Sequence, residues 1–486
     1  MTKHRGHSQR GTAFVYIGIA MFALVGFTGL AVDLGRGYVI KANLSKAVDA
    51  AALAAARGIG EGESAARAMA NNIFNVNFPN GYLGVDSVQN PPQIDFADAA
   101  DQSSVITVSS RAVMPTTFMK IAGFADLGIS AQSQATRRLV DLSFVVDHSG
   151  SLTQDYEAVK GAAEQFVSYF DPDKDRVALV MFGSNTTIMD PINTGGRGFN
   201  KASLLNHISG SDTAGSISTA TAEGLYAGWD QLRSVPSGSQ APLRVIVLFT
   251  DGAPNTFSGQ FMVKPFHGAP STFSLIPATG GLWTSDYPQD SPSVTGLSTV
   301  YSSPSDTGLH YVKVPTANSP ATGSSYTSGM GSTVAVDQDI PNIPLTSYHP
   351  YQVSSGIPTA FNLYDPSLPG QRTLWDGTGT SYPDEVRNAN NAARNLAETI
   401  ANAARADPSG APIRVYTLGL GYLLNQRGGS ALETGASILM RIANDPTLPD
   451  SYNVGQAEGR YYYAADPSQL ASAFEAIRNQ IVRLSQ

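Results

Sequence analysis

In the stretch LVDLSFVVDHSGSL, a run of apolar β-formers ends in Asp147, followed at once by the hydroxyls of Ser149 and Ser151. A core strand gains nothing from three oxygen-bearing side chains at its tip. Either they cap the next helix by accepting from its free backbone N–H groups, or they face something hard and positive. For the triplet alone the two readings are level. A second apolar run, VIVLFTDG, ends in Asp251, and TAGSISTATAEGLYAGW between them supplies a loop rich in serine and threonine. Carboxylate and hydroxyl oxygens from three loops, with no His or Cys among them, are the donor set a hard divalent cation prefers. Mg2+ fits best, since it retains waters and accepts an incomplete protein shell. Taken together, the three segments favour metal binding over capping.

The elements that must position these oxygens begin at Leu139. LVDLSFVVD, RVALVMFGS, PLRVIVLFTDG, PIRVYTLGLG and YYYAAD read as strands. TQDYEAVKGAAEQFVSYF, TATAEGLYAGWDQLRS, YPDEVRNANNAARNLAETIANAARA, SALETGASILMRIAND and PSQLASAFEAIRNQIVRL read as helices. Nearly continuous apolar strands joined by helices predict a Rossmann-like, doubly wound parallel sheet covered on both faces over 139–486. Ligands of such α/β folds sit at the carboxyl ends of the strands, which is where Asp147 and Asp251 fall. A stretch at about 254–383, rich in Gly, Ser, Thr, Pro and Tyr and free of glutamate, interrupts the pattern directly after Asp251. Its Trp283, Trp375 and tyrosines argue for an inserted lobe, mostly β or irregular, over wholesale disorder.

The 486 residues predict two to three units. A net charge of −8 leaves no basic face for phosphates and argues against a nucleic-acid partner. The absence of cysteine rules out disulfides and thiolate metal sites. From Gly11 to Val32 there is no charged residue. As a helix this stretch would reach roughly 33 Å at about 1.5 Å per residue, enough to cross a bilayer core. It divides a short basic tail, 1–10, from an Ala-rich continuation, 33–60, in which Leu44, Val48, Ala51 and Ala55 recur at helical spacing. From 61 to 138 alternating runs such as SSVITVSSRAVM predict a small β-rich module.

The pattern D-x-S-x-S after an apolar strand, a threonine six residues before a helical leucine, and an aspartate in T-D-G resembles the von Willebrand factor type A domain and its metal-ion-dependent adhesion site. The resemblance implies that Asp147, Ser149, Ser151, Thr219 and Asp251 hold a divalent metal, Mg2+ first and Mn2+ or Ca2+ as alternatives. Thr219 stands six before Leu225; Thr221 and Ser218 are the other candidates in the same loop. His148 falls on the freely varying position and receives no role. The resemblance further implies a protein partner that offers an acidic side chain to the remaining coordination position. The segment from Arg10 to Arg57, with LAVDLGR and KAVDAAALAAA, resembles the start of TadG-like proteins of the tight-adherence (Flp-type) pilus system. Tyr16 stands where a cleaved pilin-like precursor would carry glutamate, so an uncleaved anchor is expected.

These readings predict a single-pass protein of the bacterial inner membrane with its carboxyl-terminal bulk in the periplasm or envelope. Its role would be metal-dependent adhesion or assembly in a Flp/Tad-type pilus. The alternative is a structural, pilus-associated subunit in which the type A domain only stabilises assembly. An enzyme is not expected. The chain has no G-x-S-x-G elbow, H-E-x-x-H or P-loop, and His207, His267, His310 and His349 are scattered. VDQDIPN reads as a turn, and TLGLGY lacks the glycine fingerprint of a nucleotide site.

Overall fold

The computed structural model describes residues 10–99, 103–183, 186–214, 218–266, 276–284, 295–298, 311–313, 333–336, 342–344, 356–358, 360–373, 382–428 and 431–485. They form two compact units, Met1–Arg137 and Arg138–Ser485.

The first unit is built on one helix, α1 (Arg10–Gly58). Its sequence offers alanine and leucine, no proline, and therefore no reason to break. The amino-terminal part is long and apolar enough to cross a membrane. There Phe14, Phe22 and Phe27 are each about three-quarters exposed. Toward the other end Leu44, Val48, Ala51 and Ala55 are fully buried, as their spacing predicts. They pack against Ala66, Ala70 and Phe74 of α2 (Glu63–Asn77) and against one face of a sheet. That sheet centres on β2 (Ser104–Pro115). On one side β2 pairs antiparallel with β3 (Asp126–Arg137), on the other with β1 (Gln93–Asp98) and the short Ser87–Val88. Alternate residues of β2, among them Ile106, Val108, Ala112 and Met114, face the helices.

Two charged residues of LAVDLGR fasten α1 to this module. Buried Asp33 accepts from the backbone N–H groups of Thr117 (3.0 Å), Phe118 (2.8 Å) and Met119 (2.8 Å). One turn later Arg36 donates to the carbonyls of Leu83 and Gly84, at 2.7 and 3.0 Å from Nη2.

The second unit is an α/β sandwich around a six-stranded sheet. Its strands are β4 (Val140–Asp147), β5 (Arg176–Phe182), β6 (Thr186–Asp190), β7 (Leu243–Thr250), β8 (Ile413–Leu420) and β9 (Arg460–Ala464), in the order β9-β8-β7-β4-β5-β6. Five are parallel, and β6 runs antiparallel to β5 at the edge. Every residue of β4 and β7 is buried, which is why both read as unbroken apolar runs. Val145 belongs to the apolar cluster beneath α5 (Thr221–Ser234), α6 (Tyr382–Arg405) and α7 (Gly435–Ala443). Phe144 and Val146 belong to the opposite one, beneath α3 (Tyr156–Ser168), α4 (Lys201–Gly210) and α8 (Leu470–Ser485).

Three elements add to the sequence reading: α2, α4 and the antiparallel edge strand β6. In α4 only Leu204 and Ile208 are buried, and β6 has five residues, so neither carries a strong period. Within the interruption, Thr256–Phe266, Ile276–Thr284, Thr295–Ser298, Tyr311–Lys313 and Thr333–Val336 form a five-stranded antiparallel sheet. Trp375, His267, His310, His349 and most of VDQDIPN lie outside the described residues.

Helix α5 lies close to the sheet because Gly224 and Gly228 face it. A Cβ on Gly228 would come within 2.8 Å of the Val145 side chain and 3.1 Å of Ser143 Oγ. In α3, by contrast, a Cβ on Gly161 would meet nothing within 4 Å. Gly228→Ala is therefore expected to destabilise this unit by about 1–2 kcal/mol despite alanine's better helix propensity. Gly161→Ala should stabilise it by about 0.5–1 kcal/mol. Urea midpoints of the two variants, moving in opposite directions from wild type, check the close approach.

Candidate functional site

Strands β4 and β7 are neighbours in register, with Val146 opposite Phe249, so both chains leave the sheet at the same carboxyl edge. Asp147 closes β4, and Asp251 follows the last residue of β7. Asp147 is fully buried, Ser149 and Asp251 nearly so, and Ser151 is exposed. The cluster thus runs from a dry floor to a wet mouth.

A hydrogen-bonded chain joins these groups. Asp147 Oδ1 accepts from the backbone N–H of Ser149 at 2.7 Å. Ser149 Oγ and Ser151 Oγ lie 3.1 Å apart, and Ser151 Oγ donates to Asp251 Oδ1 at 2.9 Å. The hydroxyl of Thr250 donates to Asp147 Oδ2 at 2.5 Å while accepting from the N–H of Gly252 at 3.1 Å. Four of the five residues singled out by sequence are therefore linked directly. The fifth, Thr219, sits just before α5. Its hydroxyl oxygen is 3.4 Å from where a Cβ on Gly252 would stand, placing it beside the Asp251 loop. Its backbone is held there by Asn255, whose Oδ1 accepts from Thr219 N–H at 2.7 Å.

Of the other loop candidates, Thr221 is the first residue of α5, and its buried hydroxyl has no hydrogen-bond partner among the described residues. Ser218 is buried. His148 Nδ1 lies 2.9 Å from the carbonyl of Asp212, and its backbone N–H donates to Phe182. His207 pairs with Asp190 at 2.6 Å through Nδ1. Sequence reasoning passed over Thr250 and Asn255. The threonine of T-D-G was visible, but its action on Asp147 depends on β4 and β7 being neighbours, which only the strand order reveals.

Burial raises the carboxyl pKa of Asp147 above its ordinary value, although Thr250 and Ser149 hydrogen-bond the charged form. Burial and the nearby Asp147 charge push Asp251 up to about 7. The cause is physical: two carboxylates with only neutral donors around them cannot both ionise cheaply in a low-dielectric setting. Among the described residues no group of three or more His, Cys, Asp or Glu is placed to hold a metal. A cation here would need the hydroxyls of Ser149, Ser151 and Thr219 beside the two acids. That donor set, all oxygen with uncompensated negative charge, fits a hard divalent ion.

Residues 141–265 match the model of the von Willebrand factor type A domain. Residues 11–58 match the family "Putative Flp pilus-assembly TadE/G-like". The first match ends within the first strand of the insertion, and β8 and β9 complete the sheet beyond it. No curated protein matches the chain. Among solved structures, proximal thread matrix protein 1 from the mussel byssus is 12% identical, with 71% of this chain and 46% of that chain covered and a TM-score of 0.31. The chain thus spans about half the length of that protein. Another structure of the mussel protein has a zinc-occupied MIDAS motif. The PilB minor pilin from Streptococcus sanguinis is 14% identical, with 81% and 78% covered and a TM-score of 0.33. The vWF domain of the type V pili tip protein Mfa5 from Porphyromonas gingivalis is 16% identical, with 72% and 98% covered and a TM-score of 0.35.

The raised Asp251 pKa gives a signed pH dependence in EDTA. The folded state holds a proton on Asp251 up to about pH 7, whereas the unfolded state releases it near the ordinary aspartate value of 3.8. Stability should therefore fall as pH rises from about 4 to about 7, then level off. At about 1.4 kcal/mol per pKa unit the loss is on the order of 2–4 kcal/mol. Urea midpoints across this range should show the decline in wild type and a shallower one in Asp251→Asn.

Proposed function

Because the chain joins a TadE/G-like segment to a von Willebrand factor type A domain, we propose that it is a membrane-anchored component of a Flp-type pilus system. In this reading it binds a protein partner through a divalent cation, Mg2+ first, held by Asp147, Ser149, Ser151, Thr219 and Asp251. The observation that carries the reading is the linkage of two buried carboxylates through Ser149 and Ser151 at one sheet edge, with no basic side chain compensating them in the hydrogen-bonded chain. When bound, such an ion supplies a positive coordination position that accepts a carboxylate from the partner.

The residues of this chain do the rest. Thr250 fixes the rotamer of Asp147 by donating to Oδ2. Asn255 pins the Thr219 backbone at the loop that follows Asp251. Burial of Asp147 excludes water from the floor, and exposure of Ser151 leaves the mouth open to a partner. The reading is of a binding protein and not of an enzyme: His148 is engaged with the Asp212 carbonyl and activates neither serine. The exposed apolar part of α1 supports a membrane crossing; this reading places it in the inner membrane as a single pass, with the type A domain in the periplasm.

Thermal unfolding of the detergent-solubilised chain in rising MgCl2 tests the site. A saturable increase in midpoint is expected, equivalent to about 2.7 kcal/mol at a hundredfold excess over Kd. Asp147→Ala and Asp251→Ala should abolish the increase. A midpoint that does not move in millimolar Mg2+, Mn2+ or Ca2+ would sink the metal reading. If Thr219→Ala lowers the metal-free midpoint as much as it weakens metal stabilisation, the site is a structural brace within the pilus subunit.

Orientation has its own test. Protease added to spheroplasts should remove the carboxyl-terminal domain as readily as a periplasmic control, and protection would reverse the assignment.

A further inference from the structure

Beside the oxygen cluster stands an apolar projection that the metal chemistry does not use. Strand β8 neighbours β7, with Gly419 opposite Thr250, so the chain leaving β8 emerges alongside Asp251. It turns at once through Tyr422–Asn425, and Arg427–Gly428 then pairs antiparallel with Glu433–Thr434 at the start of α7. Tyr422 is 67% exposed, Leu423 49% and Leu432 66%. Leu432 also holds a left-handed φ of 48°, an unfavourable conformation for its side chain.

This projection is anchored at two points. Leu424 is buried, in a slot whose walls are Gly419 and Gly435; a Cβ on either would come within 2.5 Å of a Leu424 methyl. Glu433 is gripped by Arg372 at 2.5 Å and by Arg441. Thr434 caps α7 by accepting from Ser437 N–H at 3.2 Å. The base also reaches the metal-site loop, because a Cβ on Gly435 would lie 3.7 Å from that of Ala253, two residues past Asp251. An anchored backbone reduces the conformational freedom that its exposed apolar side chains must lose on binding.

We infer that Tyr422, Leu423 and Leu432 form the apolar half of one docking surface whose other half is the oxygen cluster. Its occupant is an extended segment of a partner protein, carrying a bulky apolar side chain two residues from the carboxylate that reaches the site, so that both side chains leave the same face. This rests on the metal-dependent reading above. The spacing follows from strand geometry. One strand separation of about 4.8 Å and two residues at about 3.3 Å put Tyr422 roughly 8 Å from Asp251, within reach of two same-face side chains at positions i and i+2 of an extended segment.

The test uses the full chain in detergent and two fluorescent eight-residue glycine peptides. Each has one glutamate and, two positions on, phenylalanine in one and alanine in the other. In MgCl2 the phenylalanine peptide should bind about tenfold tighter by anisotropy, the effect of burying one apolar group. The triple variant Tyr422→Ser, Leu423→Ser, Leu432→Ser should erase that advantage while leaving the alanine peptide's affinity unchanged. Equal, metal-dependent binding of both peptides would overturn the apolar half and leave the metal site standing. No binding of either peptide in MgCl2 would overturn both readings. Undiminished binding of the phenylalanine peptide in EDTA would overturn the single joint surface.

Discussion

The carboxyl edge of the second unit is organised around an electrostatic problem. Parallel pairing of β4 and β7 places Asp147 and Asp251 at the ends of adjacent strands, buried and close enough for each charge to oppose the other. Other buried acids of the same unit are treated differently. Asp141, at the amino end of β4, receives Arg176 at 3.3 Å, Arg197 at 2.7 Å and the N–H of Ala241 at 2.7 Å. Asp407 accepts from Trp229 and Arg233, each at 2.6 Å. Those acids are neutralised from within the fold, whereas Asp147 and Asp251 are given hydroxyls and backbone N–H groups, all neutral donors. A protein that needed only stability here would have placed an arginine or replaced the pair with apolar side chains. The contrast is the physical ground on which the proposal of an external cation at this edge, and not at the other, rests.

Much of this edge was legible in the sequence, for a specific reason. Strands buried on both faces read as unbroken apolar runs, and a polar residue at the end of such a run marks the edge directly. Asp147 and Asp251 could therefore be placed before any contact was known, and the serines after Asp147 came with them. Thr219 required a choice within SISTATAEGL, and the structure puts it against the Asp251 loop. Thr250 and Asn255 were not legible, because their roles depend on which strands are neighbours. Strand order is not written in periodicity. In the first unit, Leu44, Val48, Ala51 and Ala55 announced the buried face of α1, but Asp33 looked like a mere end to an apolar stretch. Its three backbone partners lie more than eighty residues away along the chain, beyond any local pattern.

The insertion shows how a domain can carry a long excursion next to a site that must stay ordered. Closure entropy grows only slowly with loop length, so the demand falls on the two ends. On entry, Phe257 is buried in the apolar cluster under α5 and α6, and on return Ile357, Phe361 and Leu363 enter the same cluster. Tyr226 of α5 meets the Phe361 ring edge-on at 6.2 Å and donates from its hydroxyl to the Pro358 carbonyl. Asn395 of α6 then accepts from the backbone N–H of Arg372 and donates to its carbonyl, fixing the returning chain at a single residue.

Arg372 extends that fixation to the other side of the site. Its guanidinium meets Glu398 of α6 through two bonds at 2.8 Å and Glu433 at 2.5 and 2.7 Å, while Arg441 of α7 contacts both acids. A buried ionic cluster is a poor way to gain stability, because desolvation offsets most of its Coulombic attraction. What it does supply is geometry: removing any one member leaves the others charged and under-compensated, so few arrangements compete with this one. Glu433 is also the root of the projection that bears Leu432. The same arginine that anchors the returning chain therefore also holds the root of the apolar rim, while the first strand of the insertion begins five residues after Asp251.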